Sequence, residues 1–191
     1  APDAEPLTVN RVILNLEALR HNLTTIDGWI SEHHASWTLI SKVLCGHPEV
    51  LAILHGLGVS SFGDSRLLNL EAVRQTSPHA ETWYLRPPHL SAIPNLVSLA
   101  NVSLNTELAT IRALDREACL AGTVHRIVIM VELGDLREGV SIGSLRSFYE
   151  QVLELPHVHV LGLGASLGCL SGAIPTVDNI GQLLICREFL E

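Results

Sequence analysis

Residues 37–48 read WTLISKVLCGHP. The first half of this stretch is apolar and β-branched, and Gly46 and Pro48 mark its end, so the pattern predicts a buried strand with Lys42 near its C-terminal end. Lys42 is the only lysine in a chain of 191 residues. Since lysine is normally common on protein surfaces, a single lysine inside an apolar strand indicates a chemical role rather than a contribution to solubility.

The amine of Lys42 is therefore the first candidate functional group. Burial disfavours a charged ammonium, and a neutral amine is a nucleophile that can form a Schiff base with a carbonyl substrate or with pyridoxal phosphate (PLP). The structural alternative is an ammonium that reaches solvent from the strand end or takes part in an ion pair. The residues alone leave both interpretations open.

Composition and charge narrow the class of protein. With 191 residues, 47% of them hydrophobic, the chain is long and apolar enough to form one domain with a sizeable core. The net charge of -8 argues against nonspecific binding to nucleic acid, which needs a basic face. No apolar run reaches the length of a membrane span, and the first residues lack the features of a signal peptide, so we expect a cytoplasmic protein.

The cysteines and histidines do not indicate a metal site. Cys45, Cys119, Cys169 and Cys186 are far apart and form no C-x-x-C pair, which favours neither zinc binding nor a disulfide framework. The histidines show no spacing typical of metal ligands. We expect no metal, and free thiols that are mostly buried.

Apolar segments with strand and helix patterns alternate along the whole chain. Besides the strand at Lys42, strands are predicted at 11–16, 59–62, 82–85, 102–104, 126–133 and 159–163, and helices at 17–30, 49–57, 67–75, 90–100, 106–121, 142–155 and from 176 to the end. Such alternation predicts a parallel sheet with helices outside it. The expected fold is an α/β protein of the parallel (β/α)8 TIM-barrel type, with residues 1–191 forming one partial barrel domain.

The strand count qualifies this prediction. If the first strand packs outside the barrel, about six barrel strands remain where eight are needed. We therefore expect a barrel that is incomplete at its C-terminal end.

The predicted strands end in small or polar residues, and the carboxyl ends of parallel strands carry the chemistry in such folds. Arg137 follows a strong strand in the segment GDLREG (134–139), where it can bind an anion or a phenolate oxygen, or else pair only with Asp135 or Glu138. The segment GASLG (164–168) matches the nucleophile elbow of hydrolases. We discount that match because no helix follows directly and no histidine follows Ser166.

Taken together, the sequence resembles the alanine racemase N-terminal-domain family, and within it the branch that includes ornithine racemase. The stretches that carry the resemblance are ILNLEALRHN (13–22), SKV (41–43), FGDSR (62–66), SLNTE (103–107), VELGDLREG (131–139) and GLGASLGC (162–169). They cover nearly the whole chain, in order.

The resemblance implies a PLP-binding barrel in which Lys42 holds the cofactor as a Schiff base and acts as one catalytic base. It places Arg137 near the phenolic oxygen of the cofactor and Ser166 against its ring. Asp64, Ser65 and Asn105 are pocket candidates by their positions. The family usually takes the base for the opposite face from a C-terminal β domain of a partner subunit, which implies a homodimer.

The expected function is PLP-dependent racemisation of an amino acid, as by alanine, ornithine or lysine racemases. Two alternatives stay open. One is a PLP carrier without racemase turnover, and the other is an aldolase or lyase that uses Lys42 directly on a carbonyl substrate without PLP. Neither a membrane nor nucleic acid is an expected partner.

Overall fold

The computed structural model describes residues 13–168, 172 and 174–190, which fall into two compact units divided after Trp37. The second unit contains the sheet. Its elements in chain order are β1 (Leu39–Ile40), α2 (Pro48–Gly56), β2 (Ser61–Asp64), α3 (Leu67–Thr76), β3 (Glu81–Tyr84), α4 (Ile93–Leu99), β4 (Val102–Asn105), α5 (Leu108–Leu120), β5 (His125–Met130), α6 (Ile142–Leu153), β6 (Val158–Gly164) and α7 (Val177–Leu190). Short 3-10 turns lie at Lys42–Leu44 and Leu90–Ala92.

The described part of the first unit, residues 13–37, contains one helix, α1 (Leu16–Glu32). Asn15 caps this helix, since its Oδ1 accepts a hydrogen bond from the Ala18 N–H at 3.0 Å. The strand predicted at 11–16 is therefore wrong for the described residues 13–16, because an asparagine before an amphipathic run starts a helix. Residues 11 and 12 lie outside the described part of the chain.

The six strands form one parallel sheet in the order in which they occur in the sequence. The predicted alternation and the parallel sheet are confirmed. Right-handed crossovers between strands in sequential order place all the connecting helices on one side of the sheet. Because the strands are parallel, the carboxyl ends of all six lie at the same end of the sheet, which we call the rim.

The core lies between the sheet and these helices. Ile127 and Ile129 of β5 pack there with Leu96 of α4 and with Ile111 and Leu114 of α5, and all five side chains are fully buried. Residues of neighbouring strands that pair in register point to the same side. The register therefore separates a helix-facing side from an inner face.

The inner face carries a cluster of hydrogen-bonded polar side chains at the end of the sheet opposite the rim. Arg126 Nη2 lies 2.9 Å from Glu81 Oε1, and Glu81 Oε2 accepts hydrogen bonds from Trp83 Nε1 at 2.7 Å and Ser61 Oγ at 3.4 Å. These contacts join β2, β3 and β5. They hold the strands together at a distance from the residues that the sequence nominates for chemistry.

Most predicted elements agree with the structure to within about two residues, but the strand at Lys42 does not. Only Leu39 and Ile40 pair with β2, at Phe62 and Gly63, and Lys42 already belongs to a 3-10 turn. The expectation that Lys42 lies inside a buried strand is wrong, and the side chain is exposed.

The expectation of buried thiols is wrong for Cys45 and Cys119, which are exposed, whereas Cys186 is buried. Cys169 lies outside the described residues. Among the described helices, none combines the length and the apolar character needed to cross a bilayer.

The loop from β5 to α6 folds back onto its own strand. The Glu132 N–H donates to the Val140 carbonyl at 3.1 Å, and the Val140 N–H donates to the Met130 carbonyl at 2.7 Å. Gly139 makes this return possible, because a Cβ there would lie 2.6 Å from both Glu132 Cα and the Val131 carbonyl carbon. Those atoms are backbone and cannot move aside.

We predict that Gly139→Ala destabilises the protein by about 2 kcal/mol or more, since the added methyl group overlaps packed backbone. Urea unfolding measures the loss. Gly143→Ala is the matched control, because a Cβ at this helical position of α6 meets nothing within 4 Å. The control should leave the free energy of unfolding unchanged or raise it slightly, and an equal loss in both variants would contradict the prediction.

A buried chain of hydrogen bonds joins β4 to β5. Asn105 Nδ2 donates to Ser103 Oγ at 2.9 Å, and Ser103 Oγ lies 2.9 Å from His125 Nε2. Burial, and after it the neighbouring charge of Arg126, lowers the pKa of His125 from 6.5 to about 4. His125 is therefore neutral at physiological pH.

This shift predicts a loss of stability in mild acid. Between pH 6.5 and about 4 the folded protein binds fewer protons at His125 than the unfolded chain does, so the free energy of unfolding falls as the pH is lowered through this window. The full loss from this residue is roughly 3 kcal/mol. His125→Gln keeps a hydrogen-bonding group near Ser103 but does not titrate, and urea midpoints measured across this window should fall less in this variant. An unchanged pH dependence would refute the assignment.

Candidate active site

Six residues nominated by the sequence lie at or just after the carboxyl ends of strands. They are Lys42 after β1, Asp64 and Ser65 at β2, Asn105 at the end of β4, Arg137 after β5 and Ser166 after β6. All of them therefore lie along the rim of one parallel sheet. Hydrogen bonds and ion pairs bring only some of them together.

Lys42 begins the 3-10 turn that directly follows β1. The turn starts where the Ser41 carbonyl accepts a hydrogen bond from the Leu44 N–H at 2.8 Å, and it ends at Cys45, whose backbone is left-handed with φ 50°. Ser41 is buried, and Lys42 beside it is exposed. The amine of Lys42 is thus available to a ligand at the rim.

Asp64 holds the residue before Lys42. Ser41 Oγ donates to Asp64 Oδ2 at 2.9 Å, and the Ser41 N–H donates to the Gly63 carbonyl at 2.9 Å. Asp64 Oδ1 accepts from the Arg66 N–H at 3.0 Å and from Asn69 Nδ2 at 3.1 Å. The carboxylate is fully buried and joins the end of β1 to the end of β2 and the start of α3.

These contacts place Asp64 on the helix-facing side of the sheet, where Asn69 of α3 reaches it. Ser65 is half-buried in the bend that follows. Asn105 pairs in register with the core residue Ile129, so it also lies on the helix-facing side, fully buried and bonded to Ser103. Among the described residues, no hydrogen bond or ion pair joins Ser65 or Asn105 to Lys42.

Arg137 and Ser166 form a second group at the rim. Arg137 Nε lies 3.6 Å from Glu138 Oε1, and Ser166 Oγ donates to the same oxygen at 3.4 Å. The Arg137 side chain is 25% exposed and that of Glu138 is 9% exposed. The ion pair that the sequence left as an alternative for Arg137 is thus present, in a largely buried position rather than in a solvated turn.

The loop that carries Arg137 is held by its own acidic residue. Glu132 Oε1 accepts hydrogen bonds from the Gly134 N–H at 2.6 Å and the Leu136 N–H at 3.0 Å. Leu136 has a positive φ of 54°, so the chain turns sharply here. Asn179 of α7 donates to the Leu133 carbonyl at 3.0 Å and links the loop to that helix. Arg137 therefore projects from an ordered loop.

Two further residues connect these groups: Ser41, which the sequence did not single out, and Glu138, which it offered only as a partner of Arg137. Ser41 links Lys42 to Asp64, and Glu138 links Arg137 to Ser166. A signal was present for Ser41, since it directly precedes the lysine and carries a hydroxyl at a strand end where the neighbouring strand ends in a carboxylate. Nothing local in the sequence indicates which of the three acidic residues near Arg137 contacts it.

Two racemases are similar to this chain in sequence. Ornithine racemase of Acetoanaerobium sticklandii is 30% identical over 174 residues, which are 91% of this chain and 49% of that protein. Lysine racemase of Thermotoga maritima is 24% identical over 181 residues, which are 95% of this chain and 50% of that protein. The chain spans about half the length of the curated relatives it matches.

Solved structures share the fold at low sequence identity. PipY of Synechococcus elongatus PCC7942 with PLP bound has a TM-score of 0.76 at 16% identity, over 90% of this chain and 81% of that chain. Alanine racemase of Clostridium difficile 630 has a TM-score of 0.69 at 16% identity, over 92% of this chain and 47% of that chain. The predicted barrel type is confirmed.

The sequence model of the family described as "Alanine racemase, N-terminal domain" matches residues 14–191. This match covers nearly all of the chain, and its fold and the order of its strands agree with the match. The chain belongs to the alanine racemase N-terminal-domain family.

Proposed function

We propose that this chain is part of a PLP-dependent amino-acid racemase in which Lys42 binds the cofactor and serves as one catalytic base. The observation that carries the proposal is the position of Lys42. It is the only lysine, and it is exposed at the rim of a barrel of the alanine racemase type. The racemase names of the two curated relatives support the same reaction class.

The donors at the rim fit this cofactor. An aldehyde needs a primary amine, and Lys42 supplies an exposed one. A phenolate or phosphate oxygen needs a cation, and Arg137 supplies a guanidinium on an ordered loop at the same edge of the sheet. In the proposal these two residues hold the cofactor, and Ser166 lies beside Arg137 through their shared contact with Glu138. Residues 1–191 are taken as part of one PLP-binding barrel domain.

When bound, PLP supplies an electron sink that lets a proton leave the Cα atom of an amino acid. Lys42 carries that proton at Nζ on one face of Cα. Inversion also needs a proton donor on the opposite face. Tyr84 does not serve, because it lies in the helix-facing core, where burial raises the pKa of its phenol despite the opposing charge of Arg86.

The relatives also support a choice of substrate. One is an ornithine racemase and the other a lysine racemase, so amino acids with a side-chain ammonium are the substrates that we propose. The carboxylate of Glu138 also lies at the rim, where it contacts Arg137 and Ser166. A homodimer, which the family resemblance implies, and a cytoplasmic location, which the sequence pattern predicts, complete the proposal.

The proposal predicts that PLP becomes covalently linked to Lys42. After addition of PLP and reduction with borohydride, we expect one pyridoxyl adduct, which peptide mass mapping places on Lys42. Because the chain has no other lysine, the N-terminal amine is the one competing site. Lys42→Arg keeps the positive charge but cannot form the link, so this variant should give no adduct in the barrel. A folded protein without an adduct on Lys42 would overturn the proposal.

The second prediction concerns Arg137. If its guanidinium binds an oxygen of PLP, Arg137→Met should weaken PLP binding by about 10-fold or more, the value of one charge-assisted hydrogen bond. Titration of the protein with PLP, followed by absorbance, measures the change. Arg146→Met on α6 is the control, because Arg146 is exposed and pairs with Glu150. Equal affinity in both variants would show that Arg137 has no role in binding PLP.

A second function is a PLP-binding protein without racemase turnover. The likeness in fold to PipY with PLP bound, at a TM-score of 0.76, supports it. Chiral chromatography separates the two functions. Interconversion of D- and L-ornithine, lysine or alanine by the PLP-loaded protein supports the racemase, whereas stable PLP binding with none of them interconverted supports the second function.

A further inference from the structure

We propose that Asp64 and Ser41 act as positioning residues for Lys42, so that the buried carboxylate aims the amine through the serine that precedes it. The inference rests on the proposed role of Lys42 and adds two residues to it. The observation is a buried contact of 2.9 Å between Ser41 Oγ and Asp64 Oδ2 at the point where the chain leaves β1.

Ser41 has each of its polar groups engaged. Its N–H donates to the Gly63 carbonyl at 2.9 Å, the bond that closes the ladder between β1 and β2 at the pair of Ile40 and Gly63. Its hydroxyl donates to Asp64, and its carbonyl accepts from the Leu44 N–H at 2.8 Å. Ser41 is 1% exposed, so water does not compete for these bonds. The backbone that leads into Lys42 therefore has one arrangement.

Asp64 is itself immobile. Besides Ser41 it accepts the Arg66 N–H and Asn69 Nδ2, on the oxygen that Ser41 does not use. Hydrogen bonds to a carboxylate are about twice as strong as those between neutral groups, and this carboxylate is fully buried. Ser41 is thus attached to the frame of β2 and α3, not to a side chain that can rotate.

The backbone position of Lys42 determines where the amine can reach, because the rest of the side chain is not held in place. Lys42 is exposed and its side chain has four rotatable bonds, so only the backbone limits where the amine can go. The Cys45 N–H donates to the Lys42 carbonyl at 3.3 Å and closes the turn on the other side. A covalent link to a bound aldehyde requires close alignment, and a displacement of about 1 Å can reduce such rates 100-fold.

The experiment compares two reactions of the single lysine in the protein freed of PLP. The first is formation of the PLP adduct, trapped with borohydride, which needs a directed amine. The second is acylation by acetic anhydride, which needs only an accessible one. Mass mapping of the Lys42 peptide reads both. The ratio of the two rates measures positioning and does not require turnover.

We expect Ser41→Ala to lower this ratio by about 10-fold, with acylation little changed because Lys42 is already exposed. Ser41→Thr restores the hydroxyl and should return the ratio to within about 3-fold of the original. Asp64→Ala removes three hydrogen bonds and lowers stability as well, so the inference is tested on Ser41.

The matched control is Ser103→Ala, which removes another buried serine hydroxyl with two hydrogen bonds, on β4 rather than β1. It should leave the ratio unchanged. An unchanged ratio in Ser41→Ala, or an equal fall in Ser103→Ala, would overturn the positioning role. If the original protein forms no adduct on Lys42, the proposed function fails instead, and the two failures are therefore distinct.

Discussion

One buried carboxylate connects the parts of this protein on which the candidate site depends. Asp64 accepts three hydrogen bonds, from Ser41 directly after β1, from Arg66 two residues after β2 and from Asn69 of α3. A charge with no solvent contact is tolerated only when its oxygens are satisfied in this way. The cost of burying Asp64 therefore enforces the local geometry, because moving any of the three elements would leave part of the charge without a donor.

The rim contains polar residues of two kinds. Asp64 and Asn105 lie on the helix-facing side, where Asp64 is bonded to α3 and Asn105 to Ser103, which in turn contacts His125 at the far end of β5. Lys42, Arg137 and Ser166 remain partly or fully accessible at the same edge. The first kind holds strands and loops in place, and the second is available to a ligand. A polar residue at a strand end therefore does not by itself indicate contact with the cofactor.

Much of the fold could be predicted from the sequence because the alternation of apolar strands and amphipathic helices is regular. The two errors have local causes. Asn15 caps a helix, which the apolar residues before it concealed. The ladder of β1 ends at Ile40 because the carbonyl of the next residue, Ser41, accepts the Leu44 N–H and starts a turn. Neither event changes the hydrophobic pattern.

Less of the site could be predicted. The sequence nominated Lys42 through its rarity and Arg137 through its loop, but it did not separate the two sides of the sheet. The side on which Asp64 and Asn105 lie depends on the register between strands that are 20 to 25 residues apart in the chain, for example Asn105 with Ile129. Contacts such as Ser166 with Glu138 depend on two loops meeting, which no local pattern encodes.

Because Lys42 lies in an exposed turn, its side-chain nitrogen can also be used as a probe in NMR spectroscopy. Nitrogen-15 incorporated through lysine labels a single side-chain amine in these 191 residues. The resonance of that atom reflects its protonation, its covalent state and its motion, without interference from other lysines. Changes in the protonation and covalent state of Lys42 can thus be followed in solution as they occur, without changing the sequence.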